Sequence, residues 1–246
     1  MHNKTVLITG GGKGLGREIA KRFAACHYQV FINYNKDLKA AKITEHAINE
    51  DGGSAEIIQA DVSKEEDIDR MMKELPGIDI LIHNAVYAKS NKPESISIEQ
   101  WKKSLQVNAS ALLFLSQKTF SHMKQNGYGR IFGISSSGSS KGIPSYMSVG
   151  VAKAALESIV RYLTVEWGKY GITANTVSPG AMDTEAFRSV FADADKRLDY
   201  IGSRSPKKRT VQKQEVADLL IHLCKEEMEM VAGQNIIVDG GYSIKG

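Results

Sequence analysis

A chain of 246 residues, of which 42% are hydrophobic, is long enough to bury a substantial core and short enough to form one domain. Its net charge of +4 is too mild to favour nucleic-acid binding, and no apolar run approaches the ~20 residues of a membrane span. Two distant cysteines, Cys26 and Cys224, predict reduced structural thiols and no metal site. Because β-rich sequence begins at Thr5, leaving no room for a secretory leader, we expect a cytoplasmic protein without a membrane segment.

Short β-rich segments alternate with segments of helical periodicity along the chain. Strands are expected at 5–9, 29–34, 54–60, 79–85, 130–135, 172–178 and 234–240, and long helices at 97–126 and 148–169. Apolar strands separated by helices indicate a parallel sheet covered on both faces, which predicts one doubly wound, Rossmann-like α/β domain over residues 1–246. Residues 183–214 interrupt the alternation, and such a segment is typical of a substrate lid.

The segment TGGGKGLG (9–16) follows the first strand and opens the first helix. Glycines let the backbone approach a pyrophosphate, while the helix N-terminus supplies unpaired amides and a partial positive charge. This order of strand, loop and helix favours nucleotide binding over a plain turn. The predicted contacts are Gly10, Gly12, Lys13, Gly14, Leu15 and Gly16.

The end of the second strand indicates which nucleotide is bound. NAD-binding proteins usually place a carboxylate there to hold the ribose hydroxyls, but this chain has Asn33, followed by Lys36, and Asp37 falls too late. Lys13, in the glycine loop, is placed to meet a 2′-phosphate. These features predict NADPH; the alternative is that both lysines are merely solvated.

Polar residues and turns follow the other strands. Asp61, beside Val62, is placed to accept a hydrogen bond from the adenine amino group, or else to cap a helix at 64–74. Asn84, beside Ala85, is expected to hold strands together while facing the cofactor. Three further residues complete the predicted cofactor site after the sixth strand, where a turn is expected and a threonine reaches the carboxamide: Pro179, Gly180 and Thr184.

One asparagine, Asn108, falls inside an otherwise apolar helix. A buried amide needs hydrogen-bonding partners, so we expect a polar network or a water chain there. A lysine, Lys153, lies in the helix that follows SSSGSSKG (135–142), with a tyrosine, Tyr146, seven residues before it and Val149 four residues before it.

In their order and spacing, the motifs of this chain resemble the short-chain dehydrogenase/reductase family along nearly the whole chain. The motifs are TGGGKGLG, DV, NA, the asparagine inside a helix, the serine followed by a lysine, PG…T and GQNIIVDGG. The resemblance implies that Lys153 binds the nicotinamide ribose, that Ser136 takes the position of the catalytic serine and that Asn108 supports the lysine through water. The chain departs from the family at Val86, commonly glycine, and at Val149, usually the catalytic tyrosine.

Helical geometry keeps a role open for the displaced tyrosine. Residues seven apart share a helix face at a separation of about 10 Å, so Tyr146 is able to face the cleft of Lys153. A nearby lysine cation is expected to favour the phenolate, lowering the tyrosine pKa. In enoyl-thioester reduction hydride reaches the β-carbon while charge collects on the distant carbonyl oxygen, which suits a displaced proton donor.

The Tyr-x6-Lys segment resembles the enoyl-acyl-carrier-protein reductases, above all the NADPH-dependent type III enzymes of fatty-acid synthesis, in which valine fills the usual tyrosine site. The resemblance implies that Tyr146 orients or protonates the substrate carbonyl and makes Ser136 secondary. Three alternatives stay open: a carbonyl, β-ketoacyl or specialised-metabolite reductase using Tyr146 or Tyr200, a non-catalytic nucleotide-binding protein, and a Tyr146 that merely packs on the lid.

An acidic acyl carrier protein would need a basic landing surface. Candidates are Arg130, Lys124 and Lys169, and in the lid Arg204, Lys207, Lys208 and Arg209; solvated surface charge is the alternative. The family resemblance implies a homotetramer assembled through helices 97–126 and 148–169 and the C-terminal segment, although the sequence does not separate a tetramer from a dimer.

Overall fold

Seven parallel strands form one sheet in the order β3-β2-β1-β4-β5-β6-β7. The computed structural model describes residues 4–244. The strands are β1 (Thr5–Thr9), β2 (Gln29–Tyr34), β3 (Ser54–Gln59), β4 (Ile80–His83), β5 (Gly129–Ile134), β6 (Ile172–Pro179) and β7 (Asn235–Val238). The strand order reverses between β1 and β4, so a crevice opens beyond their carboxyl ends, where open α/β sheets bind ligands.

Helices cover both faces of the sheet, which confirms the predicted doubly wound α/β fold. They are α1 (Gly14–Ala25), α2 (Leu38–Glu50), α3 (Glu65–Glu74), α4 (Ile98–Leu105), α5 (Ala111–Asn126), α6 (Met147–Trp167), α7 (Glu185–Val190), α8 (Ala194–Arg204) and α9 (Lys213–Leu223). Helices α1, α2 and α9 pack into the core on one face, and α3, α5 and α6 pack on the other. Within residues 4–244 no helix combines the length and apolarity that a bilayer crossing requires.

Alternation along each strand divides the core into two layers. In β1, Val6 and Ile8 face α1 and α9, while Leu7 faces α5 and α6. All three side chains are fully buried, and burying a side chain of this size contributes about 1.5–3 kcal/mol. Apolarity on both faces is therefore what the sandwiched sheet requires.

The structure divides the long helix expected at 97–126. A π-helical turn over Gln106–Ser110 separates α4 from α5. Asn108, at the centre of this turn, hydrogen-bonds outside its own helix (below), and such a turn accommodates a side chain that leaves the regular ladder. The expectation of one uninterrupted helix was wrong for this reason.

Two other segments differ from expectation. The lid at 183–214 contains α7, α8 and the start of α9 instead of irregular chain. Helix α3 is flanked by Lys64, without a side-chain cap, so Asp61 does not cap it. Asp61 instead accepts hydrogen bonds within its own turn, from the backbone and hydroxyl of Ser63.

Candidate active site

The glycine loop forms an open cradle at the start of α1. A Cβ added at Gly16 would overlap the carbonyl oxygen of Gly10 and the amide of Asn84. The Asn84 Nδ2 donates to the carbonyls of Thr9 and Gly10 at 3.1 and 3.0 Å, so it joins β4 to β1 as predicted. Helix α1 has no side-chain cap and no acidic residue in its first turn, which leaves its first amides suited to a pyrophosphate.

The edge beside β2 differs in part from the prediction. Asn33 is buried, and its Nδ2 donates to the Ala60 carbonyl at 3.1 Å, so this side chain ties β2 to the end of β3 and does not face a nucleotide. The predicted cofactor contact of Asn33 is corrected accordingly. Lys36 is exposed beyond the strand, and Asp37 caps α2 by accepting from the Ala40 amide.

Lys13 spans the gap between the glycine loop and the lid. Its Nζ lies 2.7 Å from a carboxylate oxygen of Glu185, the first residue of α7, and 3.6 Å from Asp37. The hydrogen bond with Glu185 raises the pKa of Lys13 against the effect of partial burial. The lysine is therefore a cation at neutral pH, placed where an anionic group of a nucleotide would compete with Glu185.

Asp61, the predicted adenine contact, lies beside buried Val62 in the turn that follows β3. Burial raises the pKa of Asp61, but hydrogen bonds from Ser63 and the charge of Lys103 outweigh it and lower the pKa. The carboxylate is thus ionised and able to accept a hydrogen bond. Ala85 follows Asn84, and its amide donates to the Thr9 hydroxyl at 3.0 Å.

The buried cation of the site is Lys153. Only 4% of the residue is exposed, and its Nζ donates to the Ile134 carbonyl at 2.6 Å. Burial lowers the pKa of Lys153 to about 8, while the negative charge of Glu157 acts in the opposite direction. The ammonium therefore sits at the carboxyl end of β5, protonated at neutral pH.

Tyr146 lies at the N-terminal boundary of α6. Its ring packs over Gly138, where an added Cβ would come within 2.6 Å of ring carbons, and stacks at 6.5 Å on Phe191 of the lid. Its hydroxyl lies near the Ser136 side chain. The ring thus does pack on the lid, while its polar end reaches the loop after β5; Val149, by contrast, is 0% exposed.

The pKa of Tyr146 moves opposite to expectation. Burial raises it above the ordinary value, and the nearby Ser136 side chain opposes that effect only in part. The expectation that the Lys153 cation lowers this pKa was wrong, because removal of the phenol from water dominates. Tyr146 is therefore a neutral hydroxyl, the form that can give up a proton.

A strained residue directs Tyr146 into place. Ser145 has a backbone φ of 62°, in the left-handed region, and such a conformation costs a non-glycine residue about 1–3 kcal/mol. The amide of Asn91 donates to the Ser145 carbonyl at 3.1 Å, which ties the loop before α4 to the residue preceding the tyrosine. Nothing in the sequence pattern indicates the left-handed conformation of Ser145 or the hydrogen bond from Asn91.

The predicted polar network around Asn108 is confirmed. Its Oδ1 accepts from the Tyr87 amide at 2.8 Å, and its Nδ2 donates to the Tyr87 carbonyl and the Ser104 hydroxyl, each at 3.0 Å. Ser104 in turn donates to the Ser148 carbonyl of α6 at 2.9 Å. Asn108 therefore ties the chain after β4 to α6, the helix of Lys153.

His83, which the sequence analysis missed, connects the glycine loop to the π-helical turn. The Thr9 hydroxyl accepts from the amides of Asn84 and Ala85, so its own hydrogen points to His83 Nδ1, 2.9 Å away. The Nε2 of His83 must then carry a proton, which it donates to the Val107 carbonyl at 2.8 Å. The one available signal was a polar residue inside an apolar strand.

Neutral His83 predicts acid sensitivity. Burial, helped by the charge of Lys153, lowers the pKa of His83 to about 3 from 6.5. Since the unfolded chain takes up the proton first, stability falls as pH drops below 6.5, by about 2 kcal/mol at pH 5. Urea unfolding at pH 7 and 5 should show this loss in the wild type and not in His83→Asn. Replacement of exposed His46 is the matched control. If the free energy of unfolding changed equally between pH 7 and pH 5 in the wild type and in His83→Asn, the assignment would be contradicted.

The turn after β6 faces the glycine loop. The Gly180 amide, after Pro179, donates to the Val238 carbonyl of β7 at 2.8 Å. Thr184 caps α7 by accepting from the Phe187 amide, and its Cβ lies 3.9 Å from the position of an added Cβ at Gly14. The lid therefore closes over the glycine loop.

Three of the predicted basic docking residues do not lie on the surface around the site. Arg130 is only 2% exposed, and its Nη1 donates to the carbonyls of Gly129 and Gly171, so it is excluded as a docking residue. Lys124 and Lys169 flank the Tyr170 ring at the amino ends of β5 and β6, opposite to the site. The candidates for docking that remain lie on or after α8, and they are Arg204, Lys207, Lys208 and Arg209. Of these, Arg209 is paired with Glu215.

Comparison with known proteins gives the same fold over nearly the whole chain. A family profile described as "Enoyl-(Acyl carrier protein) reductase" matches residues 10–243. Glucose 1-dehydrogenase of Gluconobacter oxydans (strain 621H) is 32% identical, covering 99% of this chain and 93% of that protein. 1-Cyclohexenylcarbonyl-CoA reductase of Streptomyces collinus is 31% identical, covering 97% and 86%. A gluconate 5-dehydrogenase from Burkholderia cenocepacia J2315, crystallised with NADP and tartrate, has a TM-score of 0.91 at 27% identity, covering 100% and 97%.

Proposed function

Because the chain belongs to the short-chain dehydrogenase/reductase family, an NAD(P)-dependent oxidoreductase family, we propose that it reduces the α,β double bond of enoyl thioesters with NADPH. The observation that carries this proposal is the position of the phenol. Tyr146 lies between the loop after β5 and the lid, whereas position 149, the usual tyrosine site, holds a buried valine. In this proposal the displaced phenol serves the enolate oxygen, which forms away from the carbon that receives the hydride.

The residues present fit a dinucleotide. The glycine loop and the uncapped start of α1 would hold its pyrophosphate, Asp61 its adenine, Lys13 its 2′-phosphate and Thr184 its carboxamide. When bound, the cofactor supplies the hydride. Lys153, already directed to the carboxyl end of β5, would hold the nicotinamide ribose.

The chain's own residues then manage the charge that forms on the substrate. The neutral Tyr146 hydroxyl donates a hydrogen bond or a proton to the enolate oxygen. Lys153 adds a positive charge in a buried setting, where electrostatic attraction is stronger than in water. Gly138 and Phe191 fix the plane of the tyrosine ring from two sides.

Carbonyl reduction is the second candidate, and one contact favours it. The Ser136 side chain lies near the Tyr146 hydroxyl, so two hydroxyls stand close together, as polarising a single carbonyl oxygen requires. The relatives' names divide in the same way, between glucose and a coenzyme A-linked substrate. The relatives do not decide between the two functions, and the position of Tyr146 is our reason for proposing enoyl reduction first.

One assay separates these functions. Purified protein with NADPH should lower the absorbance at 340 nm with crotonyl thioesters of coenzyme A and of a carrier protein. The comparison compounds are acetoacetyl thioesters, other ketones and aldehydes with NADPH, and glucose or gluconate with NADP⁺. Turnover of those compounds without turnover of the crotonyl thioesters would overturn enoyl reduction. Tight NADPH binding with no acceptor at all would favour a non-catalytic protein.

Cofactor preference provides a specific prediction for Lys13. Since a charged hydrogen bond is worth about 1.5–3 kcal/mol, Lys13→Ala should raise the KM for NADPH by about 10-fold or more. The KM for NADH should change little, because NADH has no 2′-phosphate. Lys21→Ala, which removes an exposed lysine farther along α1, is the control. Parallel changes for both cofactors would contradict the assignment.

We also propose that an acidic acyl carrier protein docks on a basic lid surface, defined as Arg204, Lys207 and Lys208, all exposed. Changing Lys207 and Lys208 to glutamate should raise the KM for carrier-linked substrate by about 10-fold, because opposed charges at an interface are replaced by like charges. The KM for the coenzyme A thioester should stay near wild type. The same reversal of Lys124 and Lys169, at the opposite edge of the sheet, is the control. Equal effects on both substrates would reject docking.

Two exposed apolar surfaces support a homotetramer in this proposal. One lies on α5 and α6 and includes Phe114, Tyr162 and Val165; the other follows edge strand β7 and includes Ile237 and Ile244. Two distinct self-complementary interfaces build a tetramer, whereas one builds a dimer, and sedimentation distinguishes them. The predicted C-terminal contact also includes Lys245 and Gly246, which lie outside the described residues. Both cysteines are free, which suits the proposed cytoplasmic location.

A further inference from the structure

A carboxylate on α6 connects the elements that surround Lys153. Glu157 stands four residues after the lysine, one helical turn along the same face. Its Oε1 accepts from the Ser135 hydroxyl at 2.6 Å and from the side-chain Nδ2 of Asn235 at 3.0 Å. The Asn235 Oδ1 accepts from the hydroxyls of Ser178 and Thr176 at 2.8 and 3.1 Å. One carboxylate thus links α6 to β5, β7 and, through Asn235, β6.

The linked residues stand next to the site in sequence. Ser135 immediately precedes Ser136, and Ser178 immediately precedes the Pro179–Gly180 turn. Two loops that border the nicotinamide end of the crevice are therefore anchored to one side chain on the lysine's own helix. A neutral residue at 157 could keep some of these hydrogen bonds, but it would remove the negative charge near the ammonium.

We propose that Glu157 is a positioning residue: it holds the loops after β5 and β6 against α6 and places a negative charge one helical turn from Lys153, where the cofactor ribose binds. This inference rests on the proposed function in so far as Lys153 must serve turnover. The charged and titratable neighbours are few. Glu157 acts on the ammonium from the same helix, while His83 on β4 is neutral because burial lowers its pKa to about 3. Tyr146, at the start of α6, is neutral because burial raises its pKa.

The test compares Glu157→Gln with Glu166→Gln, which makes the same charge change at an exposed position near the end of α6. The decrease of kcat/KM on the basic side of the pH profile reports a pKa of the free enzyme. In the wild type its midpoint should lie near the Lys153 pKa of about 8. In Glu157→Gln we expect that midpoint to move to lower pH by about one unit, so that the loss is several-fold at pH 8 and small at pH 6.5. Glu157→Asp, which retains the charge, should restore most of the profile, and Glu166→Gln should match the wild type.

A second measurement needs no substrate and so separates this inference from the proposed function. The difference in urea stability between Lys153 and Lys153→Met proteins, followed from pH 6 to 11, reports the titration of the lysine. In the Glu157→Gln background this titration should begin at lower pH than in the Glu166→Gln background. A loss of activity constant across pH, together with an unchanged lysine titration, would show that Glu157 is only structural and would overturn the inference.

Discussion

Replacing Tyr146 with phenylalanine should lower kcat by at least about 100-fold, the contribution expected of a positioned general acid. The affinity for NADPH should remain, because the ring keeps its packing over Gly138 and against Phe191 and the phenol lies outside the predicted dinucleotide contacts. Stopped-flow single turnovers with crotonyl thioester, and NADPH binding by fluorescence, measure the two effects separately.

Tyr200→Phe is the matched control for that experiment. Its ring lies on α8, 53% exposed and beneath the Arg204 guanidinium, so its loss should leave kcat within about 2-fold of wild type, as at most exposed positions. If Tyr200→Phe were the inactive variant, the lid would supply the donor. Adding Val149→Tyr to Tyr146→Phe should not restore turnover, because Val149 is fully buried and the larger ring would overpack the core.

Replacing Lys153 with methionine should have two large effects, one on turnover and one on the pH dependence of stability. Turnover should fall by about 100–1000-fold, as when a preorganised electrostatic contact is removed. The cofactor-free protein, by contrast, should become less dependent on pH in its stability, because the variant has no buried ammonium. The folded-state pKa of Lys153 is about 8, below the ordinary 10.5, so holding the charge inside the protein costs stability.

The sign of this pH effect follows from proton uptake. Below pH 8 both folded and unfolded chains hold the proton, and the full cost of about 3 kcal/mol is present. Between pH 8 and 10.5 the folded chain releases the proton first, so the wild type gains stability relative to Lys153→Met. Urea midpoints that differ by a constant amount from pH 7 to 10 would refute the assignment.

Sequence patterns predicted the fold because they record burial directly. Leu7 between Val6 and Ile8 indicates a strand that is apolar on both faces, and the structure places those side chains in two opposite cores. The glycine loop was equally readable, because strand, turn and helix follow one another within a few residues. Local signals of this kind need no knowledge of distant partners.

The errors arose where a distant neighbour decides the outcome. Asn33 looked like a nucleotide contact, yet the carbonyl of Ala60 on the adjacent chain segment takes its amide. Arg130 looked like surface charge, yet two backbone carbonyls and the Tyr128 ring enclose it. The pKa of Tyr146 depends on how deeply lid and loop cover the phenol, and spacing to a lysine does not contain that information.

The place of Tyr146 at the boundary of α6 has a consequence for how this site can change. A phenol in the middle of a helix inherits its direction from regular backbone, so moving it requires moving the whole helix. Here Ser145, in its left-handed conformation, and the tether from Asn91 set the direction, while Lys153 stays fixed one and a half to two turns farther on. Insertions or deletions in the segment before Tyr146 would therefore shift the hydroxyl without disturbing the ammonium, and the size and shape of substrate that the site accepts becomes a property of one short loop.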